Sequence, residues 1–290
     1  VYAFTRDDPV PATATFTKKE GEGGYRYVSM STDHGKTWST VLLDNVVPLI
    51  SCDGGCTLLP SGAADPTNPK HVYAVYSNSP PTDPTHGQNV FIKESTDGGK
   101  TWGANVQLND DNDNVDHQFP GISFAPNGRI DVAWLDFRST LTYNGAATQK
   151  TQRYWDIYYT YSTDHGRSWS KNIRVSDRSN DALAGYTANP SYGMVGPAAV
   201  QSTNDDAYFA WSDSRNGTAG APIEDYYFGT AQFAAADTST STVAGWVVPL
   251  IVGLEAALVG AGIAMLAALG ITRRRRAAES ATPTGAGDRR

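Results

Sequence analysis

Two short runs in this chain carry residue types that could do chemistry together: Trp134-Leu-Asp136-Phe-Arg138 and Trp211-Ser-Asp213-Ser-Arg215. On an extended strand alternate side chains share a face, so each run presents an indole, a carboxylate and a guanidinium on one side. A guanidinium fork pairs bidentately with a carboxylate ligand, an indole stacks on a sugar ring, and an aspartate can act as a general acid. Together these groups describe a pocket for an acidic sugar. Trp134, Trp211, Arg138 and Arg215 would bind the substrate, and Asp136 and Asp213 are the catalytic candidates. The same trio suits a second purpose without any ligand, an Asp–Arg pair repeated as a structural clamp.

Other residues have narrower meanings. The run Asn109 to Gln118, NDDNDNVDHQ, is rich in oxygen ligands and would suit calcium at Asp110, Asp111 and Asp113. It lacks the glycine and closing glutamate of an EF-hand loop, so solvated turn residues are the competing reading. Cys52 and Cys56, in SCDGGC, are expected to form a small-loop disulfide outside the cell. No second Cys or His pair follows at zinc spacing, so no zinc centre is expected and no cofactor besides that calcium. Asn216-Gly-Thr218 is an N-glycosylation sequon. P-loop, dinucleotide and Ser-His-Asp signatures are absent from the sequence.

The elements that would position these residues come from a repeat. STDHGKTW at 31–38 returns as STDGGKTW at 95–102 and as STDHGRSW at 162–169, and Asp33, Asp97 and Asp164 stand 64 and 67 residues apart. An apolar run precedes each phrase (YRYVSM, NVFIKE, DIYYTY) and a shorter one follows it (TVLLD, NVQLND, NIRVSD), the pattern of a hairpin with the phrase as its turn. Upstream lie further strands, VYAFTRDD, VYAVYSN, DVAWLDFR and AYFAWSDSR, and before the last three come CTLLPSG, QFPGISFAP and MVGPAAVQS. Four antiparallel strands repeated in this way make propeller blades, lettered A to D from the inner to the outer edge. The chain therefore reads as an all-β propeller over residues 1–235, entered within strand B and left at strand C. About three and a half blades are present, expected to be part of a six-bladed ring.

Within S-T-D-x-G-[KR]-[ST]-W each residue type has a turn role. Asp33, Asp97 and Asp164 can accept backbone N–H bonds, Gly35, Gly99 and Gly166 supply special backbone angles, and Trp38, Trp102 and Trp169 anchor the hairpins. The phrase resembles the Asp boxes, or BNR repeats, of the sialidase-like propellers, over about Val1 to Phe233. That resemblance implies that the boxes are structural and lie away from the active face, which belongs to the B–C and D–A loops. It also implies a glycoside hydrolase acting on terminal sialic acids or related acidic sugars. Such enzymes use a tyrosine nucleophile activated by a glutamate, for which Tyr192 and Glu224 are the candidates, with Tyr186 beside the substrate. The family's early Arg-Ile-Pro motif and its early-blade aspartate have no counterpart here. A non-catalytic propeller, binding glycans or proteins in adhesion, surface attachment, assembly or sorting, is the alternative.

Charge and hydropathy divide the chain. Before Ala244 there are 27 acidic and 17 basic residues, a balance of −10; after it there are three and six. An acidic surface of this kind excludes nucleic acid as a partner. Residues 244–271 carry Glu255 as their one ionisable group and are followed by Arg273–Arg276. At about 1.5 Å per residue a helix of that length crosses a bilayer, with the arginines kept cytoplasmic. The expected order is thus an extracellular propeller, a Ser/Thr linker over 236–243, a transmembrane helix over 244–271 and a basic cytoplasmic tail over 272–290. The partners implied are a glycan or glycoprotein and, through that one span, the lipid bilayer of the cell membrane.

Overall fold

The computed structural model describes residues 1–7, 25–45, 60–79, 87–111, 114–144, 154–182, 184, 199–218, 220–221 and 223–233. Cys52, Cys56, Asp113, Tyr186, Tyr192, the linker 236–243, the apolar segment 244–271 and the tail 272–290 lie outside these described residues. Among the described residues no helix is long and apolar enough to cross a membrane.

The described residues form four successive antiparallel sheets, the blades of a β-propeller. The first holds β1 (Tyr2–Asp7), β2 (Tyr25–Met30) and β3 (Ser39–Asn45), as strands B, C and D. The second holds β4 (Ser61–Ala64), β5 (Val72–Asn78), β6 (Asn89–Ser95) and β7 (Val106–Gln107), a full A to D set. In the third, β8 (His117–Phe124) and β9 (Ile130–Asp136) are followed by a short helix α1 (Ser139–Asn144). Then come β10 (Tyr154–Ser162), β11 (Ile173–Arg174) and β12 (Asn180–Asp181), the last pairing with the start of β10. The fourth holds β13 (Ala199–Ser202), β14 (Asp206–Asp213) and β15 (Asp225–Gln232).

Three details depart from the sequence reading. The first strand of the second blade, expected over Cys56–Gly62, runs on to Ala64 as strand Ser61–Ala64, and residues 56–59 of the expected range lie outside the described residues. The B–C connection of the third blade contains α1, whose Leu141 packs on the core, so part of that loop is a helical turn. The D–A connection after β11 contains β12.

Blade stacking explains the burial. β5 and β9 are buried at all seven positions because each lies inside its sheet and between neighbouring blades; their near-continuous apolar sequences suit that. β14 alternates instead, with Ala207, Phe209 and Trp211 buried and Tyr208 exposed, because one of its faces meets the third blade. Three apolar clusters fill the three seams. Val28, Met30 and Tyr76 lie in the first, Tyr73, Val75, Ile130 and Trp134 in the second, and Leu135, Ile157, Tyr159, Phe209 and Trp211 in the third.

The three boxes are C–D turns built alike. In the first, Ser31 Oγ donates to Asp33 Oδ1 (2.8 Å) and accepts from Gly35 N (2.7 Å). Asp33 Oδ1 accepts from Thr37 N (2.9 Å), and Asp33 Oδ2 accepts from Thr37 Oγ1 (2.6 Å). Trp38 Nε1 closes the turn on Gly35 O at 3.0 Å. Asp97 with Thr101, and Asp164 with Ser168, repeat the pattern, and Trp102 and Trp169 bond Gly99 O and Gly166 O. The hydroxyls of Thr37, Thr101 and Ser168 are the foremost reason that the three carboxyls sit near pKa 2. His34 and His165 take positive φ (59° and 60°), as Gly98 does (76°).

Candidate functional site

Strand pairing brings the candidate residues to the end of the blades opposite the boxes. In the third blade His117, Asp136 and Asp156 face one another in register across β8, β9 and β10, all fully buried. Asp136 closes β9, and the alternation of the strand places Trp134 and Arg138 beside it. Trp134 Nε1 donates to Asp136 Oδ2 (2.9 Å). Arg138 donates to the same carboxylate from its backbone N (2.9 Å), from Nε (2.9 Å) and from Nη2 (2.8 Å).

The Arg138 guanidinium also reaches the preceding blade. Nη1 donates to Asp110 Oδ1 (3.1 Å) and Nη2 lies 3.3 Å from Asp111 Oδ1, while the group lies 4.1 Å from the centre of the Tyr158 ring. Asn172 joins both sides: Arg138 Nη2 donates to its Oδ1, Asp110 N donates to that oxygen, and Asn172 N donates to Asp110 Oδ2. The third seam repeats the scheme. Trp211 Nε1 donates to Asp213 Oδ2 (3.1 Å), and Arg215 bonds Asp213 through its backbone N (2.8 Å) and Nη2 (2.6 Å). Arg215 Nη1 pairs with Asp177 of the third blade at 2.8 Å, and the guanidinium lies 3.9 Å from the Tyr227 ring centre. Each motif thus ties strand B of one blade to the D–A loop of the blade before it. In the first seam Tyr76 and Asn78 stand where tryptophan and aspartate stand elsewhere. There the guanidinium comes from the other side, Arg26 lying over Tyr76 and donating to Ser77 O.

His117 completes the network of the second seam. Nδ1 is 2.7 Å from Gln88 O, and Nε2 is 3.0 Å from Asp111 and 3.5 Å from Asp136. Burial opposes charge on this imidazole, but Asp136, Asp111 and the Gln88 carbonyl outweigh it and raise its pKa to about 9. Asp111 is held well below the carboxylate range; its burial opposes this, but His117 and Arg138 prevail. The ligand atoms of Asp111, His117 and Asp136 lie within 4.8 Å of one another, close enough for a metal ion. Arg138 and protonated His117 already supply the positive charge that those carboxylates need. Asp110 and Asp111, expected as calcium ligands, direct their oxygens to Arg138, His117 and Asn172.

Glu224 lies just before β15 and accepts from Ser212 Oγ at 3.4 Å. Two residues escaped the sequence reading. Asp156, fully buried, gathers Ser176 Oγ (2.7 Å), Ser179 Oγ (2.9 Å), Arg174 Nη2 (2.7 Å) and Ser139 Oγ. Asp116 accepts from Gln88 N and Gln118 Nε2, both at 2.9 Å. A sequence signal exists for Asp156: Asn89, Asp156 and Asp225 occupy the same register of strand C, opposite Asn78, Asp136 and Asp213 of strand B.

The BNR/Asp-box repeat family matches residues 30–40 and 160–171, so the chain carries BNR/Asp-box repeats. No curated protein sequence matches it. Among solved structures, the chain is similar to the α-L-arabinanase of Penicillium chrysogenum complexed with arabinobiose. Identity is 18%, over 67% of this chain and 49% of that one, with a TM-score of 0.44. It is also similar to a Hadza microbial sialidase, at 16% identity over 78% of this chain and 41% of that one, TM-score 0.43. The α-L-arabinofuranosidase of Fusarium graminearum in complex with arabinobiose gives 15% identity over 81% and 62%, TM-score 0.43. The chain thus spans between 41% and 62% of the length of these structures.

Proposed function

We propose that this chain is a membrane-anchored blade array of a glycoside-hydrolase-like β-propeller that binds glycans at the rim opposite its Asp boxes. In this reading the described blades act as scaffold and rim. One observation supports it: the guanidiniums of Arg138 and Arg215 face the carboxylates of Asp136 and Asp213 and of the preceding blade, inside the seams. A sugar carboxylate would have to displace those partners, and Asp136 and Asp213, both fully buried or nearly so, have no open path to a glycosidic oxygen. The apolar segment 244–271 would hold the propeller at the cell surface.

Hydrolysis of terminal sialic acid or a related acidic sugar is the second reading. It would draw on Tyr186 and Tyr192, which lie between β12 and β13 in the sequence, and on Glu224, which precedes β15. Binding of a protein partner in assembly or sorting would use the rim without either activity.

Glycan-array binding and turnover of fluorogenic sialoside and arabinofuranoside substrates, with the full chain, separate these readings. We expect glycan binding without turnover. Arg138→Ala should lower stability by about 3–5 kcal/mol in chemical denaturation, because it strands buried carboxylates, while the folded fraction keeps its glycan binding. Turnover by the wild-type chain that disappears in folded Arg138→Ala or Arg215→Ala would overturn the scaffold reading.

A further inference from the structure

The repeat allows the three seams to be compared position by position on the box side. The residue immediately before each box faces the next blade, and it is Met30, Glu94 and Tyr161 in turn. Met30 fills the first seam: it is buried, and its sulfur lies 2.7 Å from where a Cβ on Gly99 of the next box would be. Tyr161 packs edge-on against Phe233, with ring centres 4.9 Å apart. Glu94 leaves its seam open. Its carboxylate turns to Tyr73 Oη and His71 Nδ1, both at 2.8 Å, and its side chain stays 37% exposed. The atoms nearest to a Cβ on Gly166 then come from Tyr73, Trp169 and Ile130, at 3.4, 3.7 and 3.8 Å.

The space so left is a half-open cleft of about 440 Å³ between the second and third blades, lined by Tyr73, Glu94, Thr96, Thr101, Trp102 and Trp169. That volume lies in the range of about 300–1,000 Å³ occupied by small-ligand sites. Its chemistry combines two indoles, which offer large amphipathic faces, with a carboxylate and hydroxyls able to bond a ring of alcohols.

We propose that this cleft is a binding site for a neutral saccharide unit. The indoles of Trp102 and Trp169 would take the C–H face of the sugar, and Glu94 and Thr96 its hydroxyls. An acidic sugar is disfavoured because its carboxylate would meet Glu94, in a region of the chain whose balance is −10. This site lies at the box end of the blades and is independent of the rim invoked for the proposed function.

The full chain, labelled with 5-fluorotryptophan and held in a non-glycosidic detergent, tests this by fluorine NMR. The Trp102 and Trp169 signals are assigned through their Phe variants. Lactose or arabinobiose should shift these two signals and leave the other five of the seven unmoved. Glu94→Met copies the residue that closes the first seam and should weaken the response at least about tenfold. Glu94→Gln covers a misfolded Glu94→Met: it should keep the lactose response and lose the discrimination against 3′-sialyllactose. The site is overturned if neither neutral sugar moves the two signals at about 50 mM, or if Glu94→Met responds undiminished. It is overturned equally if 3′-sialyllactose binds the wild-type chain as well as lactose does, or if Glu94→Gln discriminates as the wild type does.

Discussion

His117 carries a proton that the fold itself retains. Its folded pKa, about 9, lies above the ordinary histidine value of 6.5. The resulting stability is therefore complete below about pH 6.5 and declines as pH rises through about 9, by an amount on the order of 3 kcal/mol. Denaturation midpoints measured from pH 6 to pH 10 should fall over that interval, and His117→Gln should flatten the fall. The box aspartates act at the other end of the scale. Their pKa values are depressed to about 2, so their contribution is present above about pH 4 and is lost as pH drops towards 2. At this scale the sequence was only partly legible. The alternation of Trp134, Asp136 and Arg138 is readable from strand spacing, but Asp110, Asp111 and His117 are not local to them. Whether a guanidinium meets a ligand or a neighbouring loop depends on which blade lies next to it.

The Asp-box hairpin was the most legible element, because its hydrogen bonds run between residues two to four apart and need no tertiary information. The same locality isolates a test of backbone strain. His34 has positive φ, a conformation costing a non-glycine residue roughly 1–2 kcal/mol, and the second box uses Gly98 at that position. His34→Gly should therefore raise the thermal midpoint or leave it unchanged, since glycine also loses more entropy on folding. His165 has the same φ but bonds Asp65 of the preceding blade through Nδ1 at 3.1 Å. His165→Gly should lower the midpoint, and the contrast between the two variants measures that inter-blade bond. The short elements α1 and β12 were not legible. Each is stabilised by packing on, or pairing with, the body of the third blade rather than by a pattern of its own.

At the scale of the whole molecule, the spacing of 64 and 67 residues between boxes, with the apolar runs that flank them and recur without a box after residue 190, predicted the succession of four antiparallel sheets. Composition separates that acidic array from the apolar segment 244–271 and the basic tail behind it. Removing residues 244–290 should move the protein from the membrane fraction to the soluble fraction with its folding transition unchanged; retention in membranes would refute the anchoring role of the segment.

The seams carry one more consequence. In two of the three, the joint is divided between consecutive blades: the D–A loop of one holds the acidic socket, at Asp110 and Asp111 or at Asp177, and strand B of the next holds the basic plug, at Arg138 or Arg215. The third blade, from β8 through Asp177, carries one plug, Arg138, and one socket, Asp177. Copying such a stretch in tandem would create a matched joint at the new junction, so an array of this kind can be lengthened by whole units without inventing a new interface.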